Sequence, residues 1–119
     1  MTAAIAAAAA AAGCAADTDE RPATFDYIVA TILRPSCATA TCHDAMTKRE
    51  GLDFSSVAAA AKSIDDDGLV PIGGGDPDNS QLYYDLTADG IDKRMPIDSP
   101  LPDADIELIR QWIVDGAVH

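Results

Sequence analysis

The chain has 119 residues, which is enough for one domain and too few for two. Its 20 acidic side chains outnumber its 8 basic ones, for a formal net charge of -12. Because this charge repels phosphate backbones and anionic lipid head groups, it excludes nucleic-acid binding and predicts that redox or other protein partners carry basic docking surfaces. Aromatic residues make up only 5% of the chain, so its core is thin and needs support from a disulfide, a metal or a cofactor.

The first thirteen residues, Met1 to Gly13, are uncharged and mostly alanine. The segment is too short to span a bilayer and is typical of the apolar part of a signal peptide. It ends in Ala-Ala-Gly-Cys, which resembles the lipobox of bacterial lipoproteins, so we expect a leader over 1–13 and a lipidated Cys14. This predicts a periplasmic or cell-envelope protein with membrane attachment through Cys14. Ordinary secretion with an idle Cys14 is the alternative, because no Lys or Arg precedes the apolar run.

A polar linker over 14–23 leads into a folded domain over 24–119, which begins with an amphipathic helix. The apolar stripe of this helix has helical spacing, Thr24 is the predicted N-cap, and Pro35 is the predicted stop. The stripe consists of Phe25, Ile28, Val29, Ile32 and Leu33.

Two helices and two turn-rich passages are predicted between the first and the last helix. A short, weak helix is expected over Asp53 to Ala61, followed by a loop over 63–79 that contains four glycines and two prolines. Ser80 to Ala88 is the third predicted helix, and the passage from Gly90 to Pro102 is rich in turns.

The last helix has the clearest pattern, with Asp103 as a cap and Gly116 as a stop. Its apolar stripe consists of Ile106, Ile109, Trp112 and Ile113. Since no segment alternates with a period of two, the sequence predicts a small all-α domain with long loops.

The segment Cys37-Ala38-Thr39-Ala40-Thr41-Cys42-His43 is the most informative motif. Two thiols followed directly by an imidazole are what covalent haem attachment requires, because the sulfurs add to the two vinyl groups and the ring binds the iron. The common spacing has two residues between the cysteines. Here there are four, so the spacer must bulge outward. The motif predicts one haem c attached to Cys37 and Cys42, with His43 as proximal iron ligand.

A haem held in this way needs a sixth ligand from the opposite face, and a thioether sulfur is suitable. Met46 is too close to His43 in the chain to reach that face. Met95 lies far along the chain in a turn-rich loop, between Arg94 and Pro96, and is the predicted distal ligand. The remaining histidine, His119, is the last residue and is expected to fray.

Two alternatives use the same residues differently. In a haemless exported binding module, Cys37 and Cys42 would form a disulfide across the four-residue spacer. In a zinc site, Cys37, Cys42 and His43 would need a fourth ligand, for which only Asp44 and His119 are available. No Ser-His-Asp set and no paired buried carboxylates are visible, so the sequence favours an electron carrier over an enzyme.

Several spaced motifs, in this order, resemble the cytochrome c-like domains known as planctomycete cytochrome C. The resemblance covers approximately Phe25 to Ala117. Besides the cysteine motif, the segments that carry it are Gly51-Leu52-Asp53, Gly75-Asp76-Pro77-Asp78-Asn79-Ser80-Gln81-Leu82, Arg94-Met95-Pro96, Leu101-Pro102 and Trp112-Ile113-Val114-Asp115-Gly116-Ala117.

The resemblance implies a class I cytochrome c-like α fold in which the N- and C-terminal helices cross and the haem forms much of the core. It implies that Cys37 and Cys42 attach the haem, that His43 and Met95 bind its iron, and that Trp112 packs in the last helix. The expected function is that of a monohaem electron carrier between exported redox proteins.

Overall fold

The computed structural model describes residues 20–39, 42–89, 94–97 and 99–119. Within these ranges the chain forms four helices and no strand, which confirms the all-α prediction. Helix α1 covers 25–37, and α2, α3 and α4 are Val57–Asp66, Gln81–Thr87 and Asp103–Val114. Two short 3-10 turns lie at Arg49–Gly51 and Pro77–Asn79. The predicted leader and Cys14 fall outside the described residues, and no helix inside them is long and apolar enough to cross a membrane.

The prediction that Pro35 ends the first helix is wrong. Helix α1 consists of three consecutive segments: α-helical Phe25–Ile28, π-helical Val29–Leu33 and α-helical Arg34–Cys37. Pro35 lies in the first turn of the last segment, directly after the wider π turns, where a missing N–H donor is tolerated. The helix therefore continues far enough to place Cys37 on its last turn.

The second helix begins later and ends later than predicted. Its N-cap is Ser56, whose hydroxyl accepts a hydrogen bond from the Ala59 N–H at 3.1 Å. The carboxylate of Asp53, the predicted first residue, instead accepts hydrogen bonds from Ser55 N and Oγ in a local turn. This turn competes with helix formation, as is common for aspartate. The first four residues of the predicted 63–79 loop consequently belong to α2.

The last two helices agree closely with the prediction. Ser80 caps α3, and the apolar stripe of α4 is buried together with Leu108. Asp103 is the first helical residue and not the cap, since Pro102 holds the N-cap position. A carboxylate in the first turn still favours the positive end of the helix dipole.

Helices α1 and α4 pack against each other in the core. The resemblance to cytochrome c-like domains implies this contact between the first and last helices. The rings of Phe25 and Trp112 stack with their centroids 5.2 Å apart, and both side chains are buried. His119 does not fray: its ring lies 4.7 Å from that of Phe25, and its Nε2 atom is 2.8 Å from Asp65 Oδ1. The chain end is therefore packed against α1 and α2.

Candidate functional site

The two ends of the cysteine spacer are tied together by backbone hydrogen bonds. The His43 N–H donates to the Cys37 carbonyl at 3.0 Å, and the Cys42 N–H donates to the Thr39 carbonyl at 2.9 Å. Because Cys37 ends α1, these bonds fix Cys42 and His43 relative to that helix. The predicted outward bulge concerns the spacer over 38–41, of which residues 40–41 lie outside the described residues.

The His43 side chain is held in one orientation. Only 8% of it is exposed, and its Nδ1 atom lies 2.8 Å from the Arg49 carbonyl oxygen. A carbonyl only accepts hydrogen bonds, so Nδ1 carries the proton and Nε2 is the free basic nitrogen. The Phe54 ring meets the imidazole edge-on at 5.5 Å, and the Phe54 N–H donates to the His43 carbonyl at 2.8 Å.

The turn that supplies the Arg49 carbonyl has an unfavourable backbone. Lys48 and Glu50 have φ values of 42° and 57°, in the left-handed region that costs a non-glycine residue about 1–2 kcal/mol. Gly51 follows at 76°. The Arg49 N–H donates to the Cys42 carbonyl at 2.9 Å, and the Arg49 carbonyl also accepts from Leu52 N at 3.1 Å. These bonds hold the strained turn against the motif, and such strain is often found at functional sites.

A cavity of about 510 Å³ lies against this motif and contains all four predicted site residues. Cys37, Cys42 and His43 line it from the end of α1 and the following turn, and Met95 lines it from the loop before α4. A proline-rich segment completes the wall, with Pro96, Pro100 and Pro102 beside Leu101. Met46 is 94% exposed, and neither Met46 nor His119 is among the described residues that line the cavity.

The Met95 loop is anchored to the C-terminal end of α3. The Met95 N–H donates to the Asp85 carbonyl at 2.7 Å, and Arg94 Nε donates to the Leu86 carbonyl at 3.0 Å. These carbonyls belong to the last turn of a helix, where backbone acceptors lack intrahelical partners and cations are favoured. The two bonds keep Met95 beside the cavity.

Cys37 and Cys42 form no disulfide with each other in this structure. Burial raises the pKa of the Cys37 thiol to about 12, and the nearby Cys42 adds to this rise. Cys37 is therefore protonated at neutral pH. Among the described residues, no group of three or more His, Cys, Asp or Glu side chains could hold a metal ion.

The chemistry of the cavity fits a covalently attached haem. Within the part of the chain that the structure describes, no buried side-chain nitrogen or oxygen lacks a hydrogen-bond partner. The free Nε2 of His43 therefore faces accessible space, as an iron ligand must. Two thiols, one oriented imidazole and one thioether line the same apolar space, and together they are the donor set of a c-type haem.

Comparison with known proteins supports a resemblance to a cytochrome c family. Residues 40–98 match the family model described as Planctomycete cytochrome C. The match covers 59 of the 119 residues and supports the expected cytochrome c-like family. This confirms the resemblance inferred from the motifs, and similarity to a cytochrome c family is typical of a haem-binding electron carrier. The matched segment contains Cys42, His43 and Met95 and begins after Cys37. Neither the search of curated proteins nor that of solved structures finds a match.

The residues that contact His43 and orient its side chain were not predicted from the sequence. Arg49 and Phe54 both contact His43, and neither carries a motif. The only signal near Arg49 is Gly51, which marks a turn. The proline-rich wall was visible as a turn-rich passage, but its role in lining the cavity depends on the tertiary fold.

Proposed function

We propose that this protein is a monohaem c-type cytochrome that transfers single electrons between exported redox partners. Cys37 and Cys42 attach the haem, His43 is the proximal iron ligand and Met95 is the distal ligand. The observation that carries the proposal is that one cavity gathers all four side chains, although Met95 lies far from the cysteine motif in sequence.

Other residues of the chain orient the two predicted iron ligands, His43 and Met95, at this cavity. The Arg49 carbonyl keeps the proton on Nδ1 of His43 and leaves Nε2 available for iron, an arrangement typical of histidine ligands. Arg94 and the Asp85 carbonyl hold the Met95 loop beside the cavity, and Pro96, Pro100 and Pro102 line that side. When bound, the haem would supply a one-electron couple between ferric and ferrous iron, and a thioether ligand favours the reduced form.

We infer the chemistry of the partners from the net charge and the location from the predicted leader. With a net charge of -12, the protein is expected to dock to basic surfaces of its redox partners. The lipobox-like segment supports attachment to a membrane of the cell envelope through Cys14. Cell fractionation of wild type and Cys14→Ser tests the attachment. The haem protein should move to the soluble fraction in the variant, and an equal distribution would refute the anchor while leaving the electron-transfer proposal intact.

An absorption spectrum tests the proposed function. Protein produced together with a cytochrome c maturation system should show the reduced and oxidised spectra of a c-type haem and exchange electrons reversibly. The double variant Cys37→Ser/Cys42→Ser, matured in the same way, is the control and should carry no covalent haem. A colourless wild-type protein with a Cys37–Cys42 disulfide would instead establish the haemless binding module.

A further inference from the structure

Helix α1 changes its hydrogen-bond pattern shortly before it reaches Cys37. Its middle segment, Val29–Leu33, is π-helical, and the Arg34 N–H that follows it donates to the Val29 carbonyl, five residues earlier. An α-helix joins residues four apart, so a π turn contains about one residue more than an α turn. π turns are rare in proteins and are frequently found at functional sites. This segment ends only four residues before the first cysteine of the motif.

The π turns change the direction in which Cys37 leaves the helix. At about 100° per residue, an uninterrupted α-helix would place Ser36 about 20° from Phe25 around the helix axis and Cys37 about 120° from it. The direction of Phe25 marks the core, because this side chain is buried and stacks on Trp112 of α4. One additional residue in a turn delays the helix by about one position, so Cys37 takes the direction that Ser36 would otherwise have. Cys37 accordingly packs against the core and lines the cavity, with Ser36 beside it.

Pro35 explains why the wider turns lie at this position. In an α-helix the proline ring clashes with the carbonyl four residues earlier, which is that of Thr31, and proline has no N–H to donate to it. A π turn widens the helix at that carbonyl and relieves the clash. The α-helix resumes at Arg34, directly after the π segment, with Pro35 in its first turn. The side chain of Pro35 is exposed, so packing of the core does not require a proline there.

Cys42 and His43 are held from a second side, by the chain that follows the motif. The Arg49 N–H donates to the Cys42 carbonyl at 2.9 Å, and the Phe54 N–H donates to the His43 carbonyl at 2.8 Å. The direction of Cys37 depends instead on the helix that precedes the motif. A change in the rotation of α1 should therefore displace the Cys37 thiol while Cys42 and His43 keep their places.

We propose that Pro35 is a positioning residue for haem attachment, because the π turns that it imposes direct the Cys37 thiol into the cavity. This inference rests on the proposed function. In each attachment step a thiol adds across a vinyl double bond: the sulfur bonds to one carbon and the thiol hydrogen goes to the other, so no oxidant or reductant is consumed. The two vinyl groups have fixed positions on one rigid ring, so both sulfurs must face it together.

The test determines which cysteine carries a thioether bond in protein matured with haem. Pro35→Ala permits a regular α-helix, since alanine is the best helix former. We expect Cys37 to remain a free thiol in most molecules of this variant while Cys42 stays attached. Alkylation of the denatured protein followed by peptide mass analysis should then label Cys37. The haem absorption bands should shift to longer wavelength, because one vinyl group stays conjugated with the ring.

Thr31→Ala is the matched control on the same exposed face of α1. It removes the hydroxyl that donates to the Tyr27 carbonyl at 2.7 Å but keeps the proline, so both thioether bonds should form as in wild type. Deletion of the exposed Ala30 from Pro35→Ala separates a change in rotation from a general loss of structure. With one residue fewer, a regular α-helix reaches Cys37 in its wild-type direction, and both bonds should return.

Three results would overturn the inference. They are full attachment at Cys37 in Pro35→Ala, a loss of the Cys37 bond in Thr31→Ala as large as in Pro35→Ala, and no recovery after the deletion of Ala30. Circular dichroism of each haem protein checks that the helices are retained. A wild-type protein that matures without haem would refute the proposed function itself, so the two failures are distinguishable.

Discussion

The Nδ1 atom of His43 lies 2.8 Å from the carbonyl oxygen of Arg49. This hydrogen bond sets the tautomer of the imidazole and depends on a turn whose backbone is strained at Lys48 and Glu50. The chain then continues to Asp53, whose backbone N–H and carbonyl both hydrogen-bond to the Ser63 hydroxyl of α2, and to Phe54, whose N–H donates to the His43 carbonyl. The orientation of the predicted iron ligand therefore depends on a helix that does not line the cavity.

Ser63→Ala tests this support. The Ser63 hydroxyl accepts from Asp53 N at 2.9 Å and donates to Asp53 O at 3.2 Å, in a largely buried position. Losing both bonds should lower the free energy of unfolding by about 1–3 kcal/mol, measured by urea denaturation. The control Ser56→Ala removes the cap of the same helix and should cost about 1 kcal/mol. A smaller loss in Ser63→Ala than in the control would contradict the assigned role.

The carboxylate of Asp53 makes stability depend on pH. Hydrogen bonds from Ser55 hold the pKa of Asp53 below its ordinary value of 3.8. Because the folded-state pKa is lowered, the stabilisation is present above that ordinary value and is lost as the pH falls through the lower, folded-state pKa. The carboxylate is partly exposed to solvent, so the effect should stay below about 1 kcal/mol.

The measurement compares the unfolding free energy of wild type and Asp53→Asn at pH 7 and at pH 2.5. The variant should be less stable than wild type at pH 7 and closer to it at pH 2.5. Asp67→Asn, on an exposed carboxylate after α2, is the control and should show no such convergence. A stability gap that is the same at both pH values would show that the Asp53 charge contributes nothing.

Two glycines with the same backbone conformation should respond differently to alanine. Gly68 and Gly74 have φ values of 61° and 59°, so alanine at either position costs about 1–2 kcal/mol in backbone strain. At Gly68 the new methyl group meets nothing within 4 Å, whereas at Gly74 it would lie only 2.3 Å from the Ile113 carbonyl oxygen.

We therefore expect Gly74→Ala to cost about 1–3 kcal/mol more than Gly68→Ala, measured by thermal or urea unfolding. The extra cost comes from separating the glycine-rich loop from the end of α4, where Gly75 N donates to the same Ile113 carbonyl at 2.7 Å. Equal costs for the two variants would mean that this close approach is absent.

The parts that could be predicted from the sequence are those that depend on local pattern or on motif chemistry. The apolar stripes of α1 and α4 correctly predict both helices, and the chemistry of haem attachment and iron ligation points to Cys37, Cys42, His43 and Met95 without knowledge of the cavity. The end of α1 could not be predicted, because tolerance of Pro35 depends on the preceding π turns. Arg49 could not be found either, since its role involves a main-chain carbonyl and a cavity formed by distant segments.

Met95→Ala tests the distal ligand. Ferric haem bound by a thioether has a weak near-infrared charge-transfer band, and this band should disappear in the variant while the reduction potential falls. Met46→Ala is the matched control, because the Met46 side chain is 94% exposed, and it should leave band and potential unchanged. A band that survives Met95→Ala and vanishes in Met46→Ala would reverse the assignment.

Covalent attachment of one haem through Cys37 and Cys42 is the central claim, and the intact mass of the denatured, matured protein tests it most directly. Wild type should gain the mass of one haem that denaturation does not remove, and Cys37→Ser/Cys42→Ser should not. A wild-type mass that corresponds to the polypeptide alone, or to the polypeptide less the two hydrogens lost in a disulfide, would contradict the account.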